Sequence, residues 1–209
     1  RVEIMRKRRH GMGFLGLGSA LVMLGIRYDS EQGLAFGARV AQAMRDEAYR
    51  ASVDLAVEKG AFPALDAERY LQSGCARRLP DDIRSAVAER GIRNSHLLSI
   101  APTGTIALAF ADNASNGIEP AFAWSYTRRK RMADGSTQEY AVEDHAYRLC
   151  RERGGDAQCL PAAFVSALDM TAEQHLQMLV AVQPFIDSPI SKTVNVPGDY
   201  RFDAFRGLY

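Results

Sequence analysis

Residues 101–106, Ala-Pro-Thr-Gly-Thr-Ile, place two hydroxyls and a glycine directly ahead of a helix-capable stretch, Ile106-Ala107-Leu108-Ala109-Phe110-Ala111. An apolar run, Leu97-Leu98-Ser99-Ile100, leads into them. A strand-to-helix turn of this composition gathers main-chain N–H groups and hydroxyls in one place, which suits a phosphate or another anion. Gly104 lets a ligand approach the backbone, and Thr103 or Thr105 can act as the N-cap. The same shape describes an ordinary capped turn, which shape alone favours because such caps are commonplace. No Walker-type lysine follows Gly104, so this is not the P-loop of a triphosphatase.

Other spacings carry less chemistry. Gly11-Met12-Gly13-Phe14-Leu15-Gly16 has the letters of a dinucleotide fingerprint. The residues before it, Lys7-Arg8-Arg9-His10, form no buried strand, and Asp29 and Glu31 come too early to hold a ribose. A glycine-rich crossing between packed elements accounts for it better. Glu119, in Asn116-Gly117-Ile118-Glu119-Pro120, sits on a backbone that the proline keeps extended. Its carboxylate could be catalytic or could hold the neighbouring loop, and the structural role is preferred. No G-x-S-x-G elbow is present. His10, His96, His145 and His175 lack metal-ligand spacing, so no metal site is expected.

The elements that must position these residues read as alternating helices and strands. Residues 11–18 form a glycine-rich strand or turn leading to a helix near 19–24. A long helix starts at a Ser30 cap, repeats Leu34, Val40, Met44, Ala48, Ala51 and Leu55 at helical spacing, and closes at Glu58-Lys59-Gly60. Short helices are predicted over 63–73 and 80–90, and a turn over 113–117. Residues 124–140 read as a β-hairpin turning at Asp134-Gly135. Helices follow over 142–153 and 171–182, the second with a Thr171-x-x-Gln174 capping box. Residues 190–196 alternate like a strand that Pro197 ends. This order predicts an α/β fold with a largely parallel sheet, and residues 1–209 as a single unit.

With 209 residues, 47% hydrophobic and 24% charged, the composition is that of a globular chain. The net charge of +1 gives no sign of a polyanionic partner. Two basic runs, Arg6-Lys7-Arg8-Arg9 and Arg128-Arg129-Lys130-Arg131, could contact nucleic acid or phosphate, but short charge runs are more often solvated faces, and without interleaved aromatics nucleic acid is not expected. The longest apolar stretch, 11–26, is broken by glycines and short for a membrane span, and no signal peptide is visible. Cys75, Cys150 and Cys159, odd in number and without CxxC spacing, fit a reduced, cytoplasmic setting. The start at Arg1-Val2-Glu3, without methionine, suggests a piece of a longer protein.

Six segments in order resemble the large catalytic subunit of ribonucleotide reductase. They are Lys7-Arg8-Arg9-His10-Gly11-Met12-Gly13, Arg93-Asn94-Ser95-His96-Leu97-Leu98, Ala101-Pro102-Thr103-Gly104-Thr105, Asn116-Gly117-Ile118-Glu119-Pro120, Tyr126-Thr127-Arg128-Arg129 and residues 190–197, Ile-Ser-Lys-Thr-Val-Asn-Val-Pro. The Ala-Pro-Thr-Gly-Thr form of the loop is most similar to the adenosylcobalamin-dependent, class II branch. The resemblance implies a ten-stranded α/β barrel, with this chain a part of its second half. It also implies that the loop grips the substrate's diphosphate, through Thr103, Gly104, Thr105 and Ile106, with Ala107 a lesser candidate.

The parent implied is a cytoplasmic ribonucleoside-diphosphate reductase, making deoxyribonucleotides by thiyl-radical chemistry. Adenosylcobalamin would be its cofactor, a thioredoxin-type thiol system its reductant, and a homodimer its assembly. The family's radical cysteine lies in an Asn-x-Cys-x-Glu setting, which none of the three cysteines has. The chain also stops before the strand and C-terminal cysteines that the family carries downstream. The expectation is therefore a fragment that contributes part of the substrate seat and no catalytic residue. The alternatives are a class I subunit with a separate radical-generating partner, or a non-catalytic phosphate-binding module.

Overall fold

The structure, a computed structural model, describes residues 1–207. In chain order the elements are α1 (Val2–Lys7), α2 (Leu17–Met23), α3 (Glu31–Lys59), α4 (Ala67–Leu71), α5 (Asp81–Arg90), α6 (Gly104–Phe110), β1 (Ser125–Arg131), β2 (Thr137–Glu143), α7 (His145–Glu152), α8 (Ala172–Val182) and α9 (Phe202–Arg206). The chain divides into two compact units. The first comprises Arg1–Gly13, Ala35–Ala101 and Val180–Ile190, and the second Phe14–Leu34, Pro102–Leu179 and Ser191–Tyr209. No helix among the described residues is long and apolar enough to cross a membrane.

In the first unit, Ala41, Tyr49, Val53 and Ala56 of α3 are buried, as are Phe62, Ile83, Val87, Ile92, Leu98 and Ile100. Main-chain bonds cross between segments, from Phe62 N–H to Ile92 C=O (3.0 Å) and from Arg93 N–H to Ser52 C=O (3.0 Å). Residues 10–13 run beside residues 96–99 through the Met12 and Ser99 amides, and Met12 and Leu98 form a parallel bridge. A Cβ at Gly13 would meet the Ser99 carbonyl oxygen, so only glycine permits this approach. The glycine-rich stretch is thus a close crossing, as its sequence context suggests.

In the second unit, α2 packs on α7. Gly18 makes a close approach possible on α2, because a Cβ there would come within 2.6 Å of the Glu119 carbonyl and 2.7 Å of Pro120 Cα. Leu21, Tyr28, Ile118, Ala121, Ala146, Val165, Met170 and Met178 are buried, and Trp124 meets Phe164 edge-on at 4.9 Å. Strands β1 and β2 pair antiparallel, Ser125 opposite Glu143 and Arg131 opposite Thr137. Gly135 turns between them at φ 85°.

Local signals place these elements well, and long-range pairing differs from expectation. Ser30 Oγ accepts from Gly33 N–H (3.0 Å) at the start of α3. Thr171 and Gln174 form the expected reciprocal cap of α8. The hairpin runs on to Glu143, so α7 begins at His145 under an Asp144 cap rather than at 142. Residues 190–196 form no strand beyond one parallel bridge, Ile100 with Ile190. Among the described residues the ladder is the hairpin alone, and parallel pairing amounts to two isolated bridges. Leu97 and Leu98, beside the Met12 bridge, donate their N–H groups to the Asp187 carboxylate at 2.8 and 2.9 Å.

Candidate functional site

Thr103 stands at the N-cap of α6 in the left-handed region, φ 57° and ψ 11°, an uncommon conformation for a β-branched residue. Its hydroxyl caps nothing in the helix and instead accepts from Gly117 N–H at 2.9 Å. Thr103 C=O accepts from Ala107 N–H at 2.8 Å, which leaves the first-turn N–H groups of Gly104, Thr105 and Ile106 without partners inside the helix. The turn at 112–117 that receives Thr103 is itself tightly wound, with Asp112 and Asn113 at φ 52° and 56°. Asn113 holds it in place, donating to Glu143 C=O (2.8 Å) and accepting from the Tyr126 hydroxyl (3.2 Å).

These pieces surround one cavity of about 620 Å³, a volume typical of small-ligand sites. Gly104, Thr105, Asn116, Glu119, Tyr126 and Arg128 are among its lining residues. Its floor is a buried polar knot. The Ser19 and Ser115 hydroxyls each accept the other residue's N–H, at 2.8 and 3.1 Å, and Ser19 Oγ donates to Asp144 at 2.8 Å. Burial pushes the Asp144 carboxyl up, against the bonds from Ser19, Ala146 N–H and Tyr147 N–H that favour its ionised form.

A second knot forms another wall. Lys192, its side chain 2% exposed, places Nζ 2.5 Å from Glu119 Oε2, 3.1 Å from His175 Nδ1 and 2.8 Å from its neighbour's carbonyl at Thr193. Glu119 Oε1 also accepts from Thr193 N–H at 2.6 Å. His175, fully buried, sets Nε2 2.9 Å from Ala167 C=O. A carbonyl only accepts, so Nε2 carries the proton and Nδ1 accepts from the ammonium. Burial lowers the pKa of both bases, with the adjacent Lys192 adding to the effect on His175 and Glu119 opposing it on Lys192. The arrangement holds a charged lysine, a neutral histidine and an ionised glutamate.

Of the five loop residues singled out in the sequence, Gly104 and Thr105 line the cavity. Thr103 stands behind them on Gly117, Ile106 is half exposed, and Ala107 is buried with its N–H engaged in the helix. Glu119 does fasten its surroundings, by the bond to Thr193, and it faces the cavity as well. Sequence reasoning gave Lys192, His175 and Asp144 no role in the site, and met Arg128 only within a basic run that could contact phosphate. Lys192 left one signal, since it shares the apolar parity of Ile190, Val194 and Val196 and so was placed to point inward. Among the described residues no group of three or more His, Cys, Asp or Glu is placed to hold a metal ion.

Hydroxyls, free amides and a basic residue on a partly apolar wall give a cavity of this size the groups to hold a small polar ligand. The family described as ribonucleotide reductase, barrel domain, matches residues 1–209, and the chain belongs to it and to its α/β barrel type of fold. The chain is 34% identical, over 97% of its length, to the vitamin B12-dependent ribonucleoside-diphosphate reductase of Mycobacterium tuberculosis, of which it covers 29%. The protein of that name in Thermoplasma acidophilum is 28% identical over 92% of the chain, which covers 25% of it. The vitamin B12-dependent ribonucleotide reductase of Streptomyces coelicolor is 28% identical over 91%, with 24% covered. The chain therefore spans less than a third of the length of these relatives.

Proposed function

We propose that this chain is the substrate-phosphate segment of a vitamin B12-dependent ribonucleotide reductase, an oxidoreductase that makes deoxyribonucleotides from ribonucleotides. The observation that carries the reading is the cavity shared by Gly104 and Thr105 with the strained loop behind them, in a chain of this family. In this reading Gly104, Thr105 and Ile106 offer N–H groups to the phosphate and Thr105 adds its hydroxyl. Thr103 fixes the loop through Gly117, and Ala107 anchors the helix beneath. The names of the three relatives favour the B12-dependent branch over a class I subunit with a separate radical generator.

Residues 1–209 would then be one segment of a ten-stranded barrel in a cytoplasmic homodimer, reset by a thioredoxin-type reductant. Adenosylcobalamin would supply radical initiation to that parent. The cavity described above does not fit it: a corrin with its side arms exceeds about 620 Å³, and no step is routed through it. With no cysteine in an Asn-x-Cys-x-Glu setting, this chain's own part is to bind and orient substrate.

The test is the pair Thr103→Ala and Thr105→Ala in the full-length protein. Thr105→Ala removes a hydroxyl that serves a charged ligand, at roughly 1.5–3 kcal/mol, and Thr103→Ala releases the loop from Gly117, so nucleotide KM and Kd rise at least tenfold in the double variant. Unchanged KM and affinity would remove the phosphate assignment.

A further inference from the structure

One charged group that lines the cavity has no partner among the described residues, while the others do. Its two carboxylates are both engaged: Glu119 by Lys192 and Thr193 N–H, and Asp144 by Ser19 Oγ, Ala146 N–H (2.8 Å) and Tyr147 N–H (3.4 Å). Arg128 is the basic residue among the lining groups, and its guanidinium makes no ion pair or hydrogen bond with a described residue. The next arginine on the same strand behaves differently, because Arg129 pairs with Glu139 directly across the ladder at 2.7 Å. Opposite Arg128 stands neutral Tyr140.

Strand geometry makes this a property of one face. Successive side chains on β1 alternate, so Tyr126 and Arg128 share a side and both line the cavity, while Arg129 and Arg131 point the other way. The Tyr126 hydroxyl bonds Asn113 of the loop that carries Gly117, which fixes this face of the hairpin to the cavity rim. A guanidinium without a partner among the described residues on the rim, beside the free donors of Thr105 and with Glu119 paired to Lys192, is available to an anion in the cavity.

We propose that Arg128 binds the terminal phosphate of the nucleotide, as the counter-charge that the hydroxyl and amide donors of residues 103–106 lack. This rests on the phosphate reading above and adds to it a residue on a different element. A guanidinium offers two parallel N–H donors to two phosphate oxygens, which fixes orientation as well as charge. A nucleoside without phosphate gains nothing from it.

The experiment measures equilibrium binding of CDP, CTP and cytidine to the full-length protein and to its Arg128→Ala, Arg128→Lys, Arg131→Ala and Thr105→Ala variants. Loss of a charge-assisted pair at a half-open site weakens CDP and CTP by roughly tenfold in Arg128→Ala. Arg128→Lys recovers part of that loss, and cytidine binding does not change. Affinity for CDP also falls less steeply with salt in Arg128→Ala than in the unsubstituted protein. Arg131→Ala removes the same charge from the other face and binds normally. The role of Arg128 is overturned if Arg128→Ala binds CDP and CTP normally while Thr105→Ala does not, and the phosphate reading then survives. If neither substitution weakens nucleotide binding, both ideas fail. An equal loss in Arg131→Ala, or an equal loss for cytidine, overturns the specific clamp in favour of general surface charge or of hairpin shape.

Discussion

Asp187 in the first unit accepts hydrogen bonds from the Leu97 and Leu98 N–H groups and from the Tyr49 hydroxyl at 2.9 Å, all neutral donors. Glu119 in the second unit accepts from a single N–H, that of Thr193, and from the ammonium of Lys192. Each carboxylate ties an extended segment to a distant part of its own unit. Asp187 does so with donors that carry no net charge, so its hold needs no counter-ion. Glu119 depends on a cation that burial disfavours, and that cation leans in turn on a histidine that must stay neutral.

The difference follows from what each carboxylate borders. Asp187 substitutes for a missing strand neighbour, and consecutive amides are what such a place offers. Glu119 lines the cavity, where a bare carboxylate would repel an anionic ligand. Pairing it with Lys192 cancels that charge from behind and leaves Arg128 and the loop donors free to meet an anion. The buried pair is therefore an electrostatic screen as well as a fastener.

The largest effect that would break this contrast is Lys192→Met. Removing one partner of a buried ion pair leaves the other uncompensated, at a cost of about 3–5 kcal/mol. Urea denaturation should show that loss, and nucleotide affinity should fall with it because Glu119 regains its charge at the cavity. Adding Glu119→Gln removes the orphaned charge and restores much of both. A single variant as stable as the double would mean that the pair does not screen Glu119.

Asp187→Asn is the matching change in the first unit and should be milder, about 2 kcal/mol in the same measurement. Asparagine keeps one acceptor for the Leu97 or Leu98 amide and turns a second donor toward the rest. No buried counter-charge is left behind, so no second substitution should rescue it. A loss as large as that of Lys192→Met would erase the distinction between the two fastenings.

The features legible in the sequence were those whose partners lie within a few residues. Ser30, the Thr171–Gln174 box and Asp134-Gly135 each announce a cap or turn, and each stands where its spacing predicts. The ladder was not legible for the opposite reason. Residues 190–196 alternate like a strand, yet Lys192 and Thr193 spend their polar groups on Glu119, 73 and 74 positions away, and Leu97 and Leu98 spend theirs on Asp187. The site divides in the same way. Residues 103–106 announce themselves by composition, but the partners of Thr103 and Glu119 and the freedom of Arg128 depend on register and long-range contact, which no local spacing records.

The smallest effect concerns protons. Burial and the adjacent ammonium hold the His175 pKa below the ordinary histidine range. As pH falls below about 6.5, the unfolded chain takes up a proton at this position and the folded chain does not. The stability present at neutral pH is thus lost progressively from there down to the lowered folded pKa. His175→Gln keeps a donor for Ala167 C=O and an acceptor for Lys192 but cannot titrate. Its stability should fall less steeply between about pH 6.5 and 5, by no more than 1.4 kcal/mol per pH unit of difference. His96, whose pKa burial also lowers, is present in both proteins and cancels in the comparison. Parallel curves would mean that His175 is not held neutral, and the Lys192 ammonium would then have to be stabilised by Glu119 and the Thr193 carbonyl.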